Sequence, residues 1–224
     1  MLCEAVEVDA LVPAAPCIAG IGEETEPSGH YLIISNHVSW VDIFVLFRAF
    51  HGRAAFIRFF LKQQLIWSPI VGQGCWALEF PFMRRYTPEY LARHPEKRGK
   101  DLETTRRACQ RYRNFPVAIA NFVEGTRFTR AKRDQQQSPY RHLLRPRAGG
   151  IGFVFASLGN VLDATYDVTI AYPHDEVTMW QFISGRVERV TVRARRVDPP
   201  PADGVREWID QVWREKDWLL DQLK

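Results

Sequence analysis

Four short apolar runs, each about one strand long, constrain this chain more than any other feature. Tyr31-Leu-Ile-Ile-Ser35 and Val117–Val123 are nearly unbroken, Ala77–Met83 is interrupted by Pro81, and Val168–Tyr172 is the fourth. A run that is apolar at every position, rather than at alternate ones, suits a strand covered on both faces. Between these runs the spacing turns helical. Ser39–Phe50 places Val41, Phe44 and Val45 on one side, Asp101–Arg113 does the same with Leu102, Thr105, Cys109 and Tyr112, and Gly149–Leu158 reads as a helix whose Gly149-Gly150 start allows close packing. Phe59–Ile66 reads as a helix ending before Pro69, and Thr87-Pro88 as a cap followed by Pro at the first helical position. Val6–Val8 reads as a short first strand. Val187–Val197 alternates Val190, Val192 and Ala194 with Arg189, Thr191, Arg193 and Arg195, the pattern of a half-exposed strand. After Pro199-Pro200-Pro201, Asp203 is expected to cap a last amphipathic helix with Val205, Ile209, Val212, Leu219 and Leu223 inward. Strands alternating with helices predict an α/β fold: a single layered domain over 1–224, with a mostly parallel or mixed sheet flanked by helices.

Composition narrows the class further. The chain has 224 residues, 46% of them apolar and 25% charged, which is enough core for a globular domain and too little charge for disorder. The most apolar stretch, 31–50, is broken by Asn36, His37, Asp42 and Arg48, so no membrane-spanning segment is expected. No Lys or Arg precedes Arg48, which excludes a signal peptide with a basic start. Cysteines 3, 17, 75 and 109 form no CxxC pair and no metal-ligand spacing, and read as thiols of a reducing compartment. Residues 1–30 hold six acidic side chains and no Lys or Arg, whereas 84–147 hold seventeen Lys or Arg against six Asp or Glu. A basic middle of this kind suits an anionic partner: a phosphorylated small molecule, an anionic membrane surface or nucleic acid. A solvated basic face fits the charge equally well.

Two motifs carry chemistry. Asn36-His37-Val38-Ser39-Trp40-Val41-Asp42 sets a histidine directly after a buried strand and an aspartate five residues on. With a helix starting near Ser39, Asp42 reaches back to one imidazole nitrogen and leaves the other free as a base. Phe122-Val123-Glu124-Gly125-Thr126-Arg127 follows another buried strand. Gly125 permits a positive φ, Thr126 brings a hydroxyl, and Arg127 a fork suited to phosphate. Taken singly, each motif also fits a plain structural turn.

Together, in this order, NHVSWVD and FVEGTR resemble the first and third signature blocks of the PlsC-type glycerolipid acyltransferases. Ala77–Arg85 is similar to the second block, with Arg84 the best match for its arginine and Arg85 the alternative. Val168-Thr-Ile-Ala-Tyr-Pro173 is similar to the fourth, without its usual Val-Pro start. Lys62-Gln-Gln-Leu65, Phe82-Met-Arg-Arg-Tyr86 and Arg145-Pro-Arg-Ala-Gly-Gly150 resemble the branch holding lysocardiolipin and lysophosphatidate acyltransferases. The likeness covers roughly 6–175, followed by a strand and helix over 185–224.

The resemblance implies acyl transfer from acyl-CoA, or acyl carrier protein, to a lysophospholipid, with 1-acylglycerol-3-phosphate the expected acceptor. It implies His37 as base and Asp42 as its orienter. Arg84, Glu124, Gly125, Thr126 and Arg127 would bind substrate, with Glu124 either ordering its loop or touching the acceptor. Asn36 or backbone amides would face the oxyanion. Acyl-CoA enters as co-substrate, with no metal and no other cofactor. Members of the branch usually carry apolar helices ahead of the catalytic domain, whereas here the pattern begins near residue 1. The expectation is therefore a shortened chain or peripheral binding at the cytoplasmic face of a membrane. A thioester or lipid hydrolase using the same His–Asp pair is the enzymatic alternative. A non-catalytic basic module for membrane or nucleic acid is the other, and the scarcity of exposed aromatics among the basic residues argues against nucleic acid.

Overall fold

The computed structural model describes residues 17–19, 25–62, 66–67, 71–78, 80, 82–83, 88–95, 110–174, 177–201 and 203–224. In chain order its elements are β1 (Cys17–Ala19), β2 (His30–Ser35), α1 (Val41–Phe50), β3 (Ile57–Phe59), β4 (Leu61–Lys62), α2 (Val71–Ala77), β5 (Phe82–Met83) and α3 (Pro88–Arg93). There follow β6 (Val117–Phe122), α4 (Arg130–Gln135), α5 (Ala148–Leu158), β7 (Ala164–Ala171), α6 (Met179–Ile183), β8 (Thr191–Val197) and α7 (Val205–Leu223).

The unbroken apolar run of β2 reflects its place at the middle of the main sheet. Six strands lie in the order β1-β8-β7-β2-β6-β3, all neighbours parallel except the antiparallel pair β7–β8. Tyr31 and Ile33 point into one core with Val41, Val45, Leu46 and Phe50 of α1. Leu32 and Ile34 point into the other, with Ile151, Val154 and Leu158 of α5 and Ile209, Val212, Trp213 and Leu220 of α7. Helices therefore cover both faces, the α/β architecture expected from the alternation of runs.

Several local expectations are corrected. The helix expected over Phe59–Ile66 is not formed by its described residues 59–62: Ile57–Phe59 pairs with β6 at the sheet edge, and Leu61–Lys62 pairs with Phe82–Met83 in a separate two-stranded sheet. Ile57 and Phe59 are buried and Arg58 half-buried, a period of two that the aromatic-rich spacing disguised. Ala77–Met83 is accordingly no core strand, since 71–77 is helical and, among its described residues, only Phe82 and Met83 are extended. β7 begins at Ala164 rather than Val168, because polar Thr165 and Asp167 are buried within it. Asp203 does not cap the last helix: Gly204 occupies the N-cap without a side-chain bond. The buried stripe of α7 is Ile209, Val212, Trp213, Lys216 and Leu220, while Val205, Leu219 and Leu223 are only half-buried. Val6–Val8 and 101–109 lie outside the described residues.

Parallel pairing has one consequence for chemistry. Ser35 is in register with Phe122, so the segments after β2 and β6 leave the sheet side by side at the same edge.

Candidate active site

The loop after β2 closes on itself through Asp42. This residue sits in the first turn of α1, fully buried. Its Oδ2 accepts from the backbone N–H groups of Val38 (2.6 Å) and Ser39 (2.9 Å) and pairs with His37 Nδ1 at 2.9 Å. Its Oδ1 accepts from the Tyr172 hydroxyl at 2.6 Å. A carboxylate held by this many donors needs no other capping group. Tyr172 arrives from the end of β7, and burial together with the neighbouring Asp42 charge pushes its phenol pKa upward, so it remains a proton donor.

His37 is fixed in plane as well as in tautomer. Its ring stacks on Phe122 at 4.0 Å and 13°, and Phe122 stacks in turn on Phe59. With Nδ1 bound to Asp42, Nε2 on the far side of the ring is left for chemistry. The imidazole borders a cleft of about 330 Å³ that Trp40, Phe122, Gly125, Thr126 and Arg127 also line.

The loop after β6 supplies the other wall. Gly125 N–H donates to the Phe122 carbonyl at 2.9 Å, closing a turn in which Gly125 has φ +70°. A β-carbon is strained there, which explains the glycine. Phe128 N–H donates to the His37 carbonyl at 2.7 Å and ties the two loops together. The Arg127 guanidinium lies 5.3 Å from the Trp40 ring centroid, a cation–π contact that steers it along the cleft. Lys132 Nζ donates to Thr126 Oγ1 (3.0 Å) and to the Arg127 carbonyl (2.8 Å). Thr126 thus accepts from the lysine and keeps its own hydrogen for a ligand.

His37, Gly125, Thr126 and Arg127 are brought together as expected, and Asp42 stands directly behind them. Glu124 is placed differently. It is fully buried and outside the lining of the cleft, and its two carboxylate oxygens make no hydrogen bond of good geometry among the described residues. Burial pushes its carboxyl well above the usual range, and the Asp42 charge adds to this. The Lys216 ammonium and the backbone N–H groups of Leu144 and His37 oppose it. Its place suits ordering the loop. Asn36 is also withdrawn from the cleft: its amide donates to the Ile170 carbonyl (2.8 Å) and accepts from Ile170 N–H (2.9 Å), joining β2 to β7. It is not among the residues that line the cleft. Arg84 and its alternative Arg85 lie outside the described residues.

Trp40, Lys132 and Tyr172 were not anticipated. Trp40 lay inside a quoted motif but carries no signal of cation binding. Tyr172 was marked only by its place before Pro173, with 130 residues between it and Asp42. Among the described residues no group of three or more His, Cys, Asp or Glu could hold a metal, and no helix is long and apolar enough to cross a membrane.

Glu124 yields a pH prediction. A carboxyl whose folded pKa is raised stabilises the fold fully below its unfolded value, about 4.3, and less as pH rises through the folded value. Glu124→Gln removes that loss. The variant is expected to melt at the wild-type temperature at acid pH and above it at pH 8, by calorimetry at both pH values. An equal offset at both would show that Glu124 is held as a compensated anion.

Comparison with known proteins bears on this geometry. The family model described as Acyltransferase matches residues 18–173. The chain is 26% identical over 213 residues to 1-acyl-sn-glycerol-3-phosphate acyltransferase 3 of Arabidopsis thaliana, covering 86% of this chain and 53% of that protein. It is 28% identical over 211 residues to the Brassica napus 1-acyl-sn-glycerol-3-phosphate acyltransferase 2, covering 86% and 51%. To the delta form of Homo sapiens it is 27% identical over 176 residues, covering 72% and 44%. The chain thus spans about half the length of the curated relatives it matches.

Proposed function

Given that the chain belongs to the acyltransferase family, we propose that it transfers a fatty acyl group from acyl-CoA to a lysophospholipid, with 1-acylglycerol-3-phosphate the preferred acceptor. The observation that carries this reading is the convergence of an Asp-bound imidazole, a guanidinium and a free hydroxyl hydrogen on one cleft. The three relatives described above are named as 1-acyl-sn-glycerol-3-phosphate acyltransferases, which supports the acceptor. In this proposal the acceptor hydroxyl gives its proton to His37 Nε2 while its oxygen attacks the thioester carbonyl carbon. Asp42, held by Tyr172, stabilises the imidazolium that forms. The carbon–sulfur bond then breaks, and the imidazolium returns the proton to the leaving thiolate. An ester and free CoA thiol result, with no covalent enzyme intermediate. Arg127 and Thr126 hold the acceptor phosphate, Arg84 assists from the neighbouring block, and Glu124 orders the loop. The reading invokes no metal and no cofactor beyond the acyl donor.

The cleft volume, about 330 Å³, lies at the low end for small-molecule sites, roughly 300–1,000 Å³. It suits the reacting glycerol phosphate rather than whole acyl chains, which would stay in a lipid surface. Docking at the cytoplasmic face of a membrane is part of the proposal.

The test combines acyl-CoA with lysophosphatidate and follows both thiol release and phosphatidate. Thiol and phosphatidate should appear in equal amounts. Thiol with free fatty acid and no phosphatidate would show a hydrolase instead. Arg127→Ala is expected to raise the KM for lysophosphatidate about tenfold or more, as loss of a charge-assisted contact should, with little change in the acyl-CoA KM. An unchanged acceptor KM would remove Arg127 from phosphate binding.

A further inference from the structure

The segment Arg145-Pro-Arg-Ala-Gly-Gly150 has no part in the cleft. It forms one wall of a second cavity, of about 740 Å³, whose other wall is α7. Arg145 and Arg147 enter from the first wall, and Arg206 and Arg214 from the second. Arg145 is spent on the carbonyls of Gln136 (3.1 Å) and Gln137 (2.7 Å). The guanidinium groups of Arg147, Arg206 and Arg214 carry no hydrogen bond or ion pair among the described residues. Two carboxylates face the same space. Asp217 is occupied by the backbone N–H groups of Arg141 and His142, each at 2.8 Å, and among the described residues Asp210 meets only the Tyr140 hydroxyl, at 3.5 Å. Four arginines against two carboxylates leave the cavity positive, and among the described residues neither carboxylate pairs directly with the three open forks.

The shape is as informative as the charge. The cavity is more than twice the volume of the catalytic cleft, and Tyr140, Pro139, Pro146 and Ile209 give it apolar wall as well. A concave site with apolar walls and several guanidinium forks suits a soluble group that carries more than one phosphate next to a flat ring. A bilayer headgroup plane does not fill it. The cavity also backs onto the catalytic loop: Arg147 N–H donates to the Val123 carbonyl at 2.8 Å, one residue before Glu124. A β-carbon at Gly150 would come within 3.0 Å of the amide nitrogen of Asn121, a residue that lines the cleft. The two spaces are therefore separated by the same short stretch of β6 and α5.

We infer that the cavity between the Arg145–Gly150 segment and α7 is a polyphosphate site that holds the nucleotide handle of the acyl donor through Arg147, Arg206 and Arg214. This rests on the transferase reading for the identity of the donor but not for the binding of the anion. It divides labour between the two spaces: the cleft takes the acceptor phosphate, and the cavity takes the phosphates of the donor.

The test uses adenosine 3′,5′-bisphosphate as probe, by calorimetric titration of the intact chain. The comparison is with Arg206→Ala/Arg214→Ala and with Arg147→Ala, exposed positions whose loss leaves the core untouched. Binding is expected to weaken about tenfold or more in the double variant, and the acyl-CoA KM to rise by a similar factor while the lysophosphatidate KM stays put. Unchanged bisphosphate affinity in both variants would overturn the proposal. So would an unchanged bisphosphate affinity accompanied by loss of binding to mixed phosphatidylcholine–phosphatidylglycerol vesicles, which would make the arginines a membrane contact. If wild-type chain binds the bisphosphate through these arginines yet transfers no acyl group, the site stands and the transferase reading falls. If transfer proceeds with a donor KM indifferent to the arginines, the reverse holds.

Discussion

His37→Ala is expected to lower acyl transfer about 10²–10⁴-fold, measured as thiol release from acyl-CoA with lysophosphatidate present. The ring has everything a base needs: Nδ1 bound to a buried carboxylate at 2.9 Å, a plane fixed by stacking on Phe122, and a position on the cleft. The fold should survive, because the loop is held by other bonds, from Val38 and Ser39 N–H to Asp42 and from Phe128 N–H to the His37 carbonyl. The KM values should move little, since the imidazole acts on a proton rather than on binding. Asp42→Ala should cost activity too, but the double variant should be barely worse than His37→Ala, because an orienting carboxylate without its imidazole has nothing to orient. Near-normal thiol release from the folded His37 variant would remove the base from this mechanism.

Asp167→Asn is expected to destabilise the fold by about 3–5 kcal/mol in denaturant unfolding. Asp167 lies in the middle of β7 and Lys216 in the buried stripe of α7, each no more than 1% exposed. The ammonium pairs with Asp167 Oδ1 at 2.7 Å and also donates to the Val168 carbonyl and to Thr169 Oγ1. Arg195 reaches the same carboxylate at 3.0 Å and pairs with Glu215 on α7. Burial lowers the Lys216 pKa, and the charge of Asp167 is the main force holding it up. Without that carboxylate the ammonium loses its counter-charge in a site water does not reach. The control is Asp167→Leu/Lys216→Met, which removes both charges and should recover most of the loss. A loss below about 1 kcal/mol in the single variant would mean that Lys216 is already neutral there.

The two predictions concern neighbouring parts of one molecule, since the Lys216 charge acts on Glu124, and Glu124 underlies the catalytic loop. Their readouts separate them. The first moves rate at constant stability, the second stability first.

How much of this was legible beforehand depended on distance along the chain. The strands at Tyr31–Ser35 and Val117–Val123 were readable because burial on both faces writes itself into every residue of a short run. The helix after His37 and its closure by Asp42 were readable because five residues of sequence determine that contact. The edge strand at Ile57–Phe59 was misread, because its three residues become a strand only by pairing with β6, some sixty residues on. β7 was entered four residues late for the same reason: Asp167 looks like a solvent residue until α7 brings Lys216 to it.

From its sequence alone, then, the chain determined an α/β layering, two strand-end loops, and an imidazole with its carboxylate, all properties of residues within a few positions of one another. Tertiary structure decided what stands around them: Tyr172 behind Asp42, Asn36 turned away to β7, Glu124 sunk beneath its loop, and α7 opposing its arginines to those of a distant segment. The physical reason is that parallel strands join residues far apart in the chain, and the burial and charge of such neighbours are set only when the sheet and its covering helices have assembled.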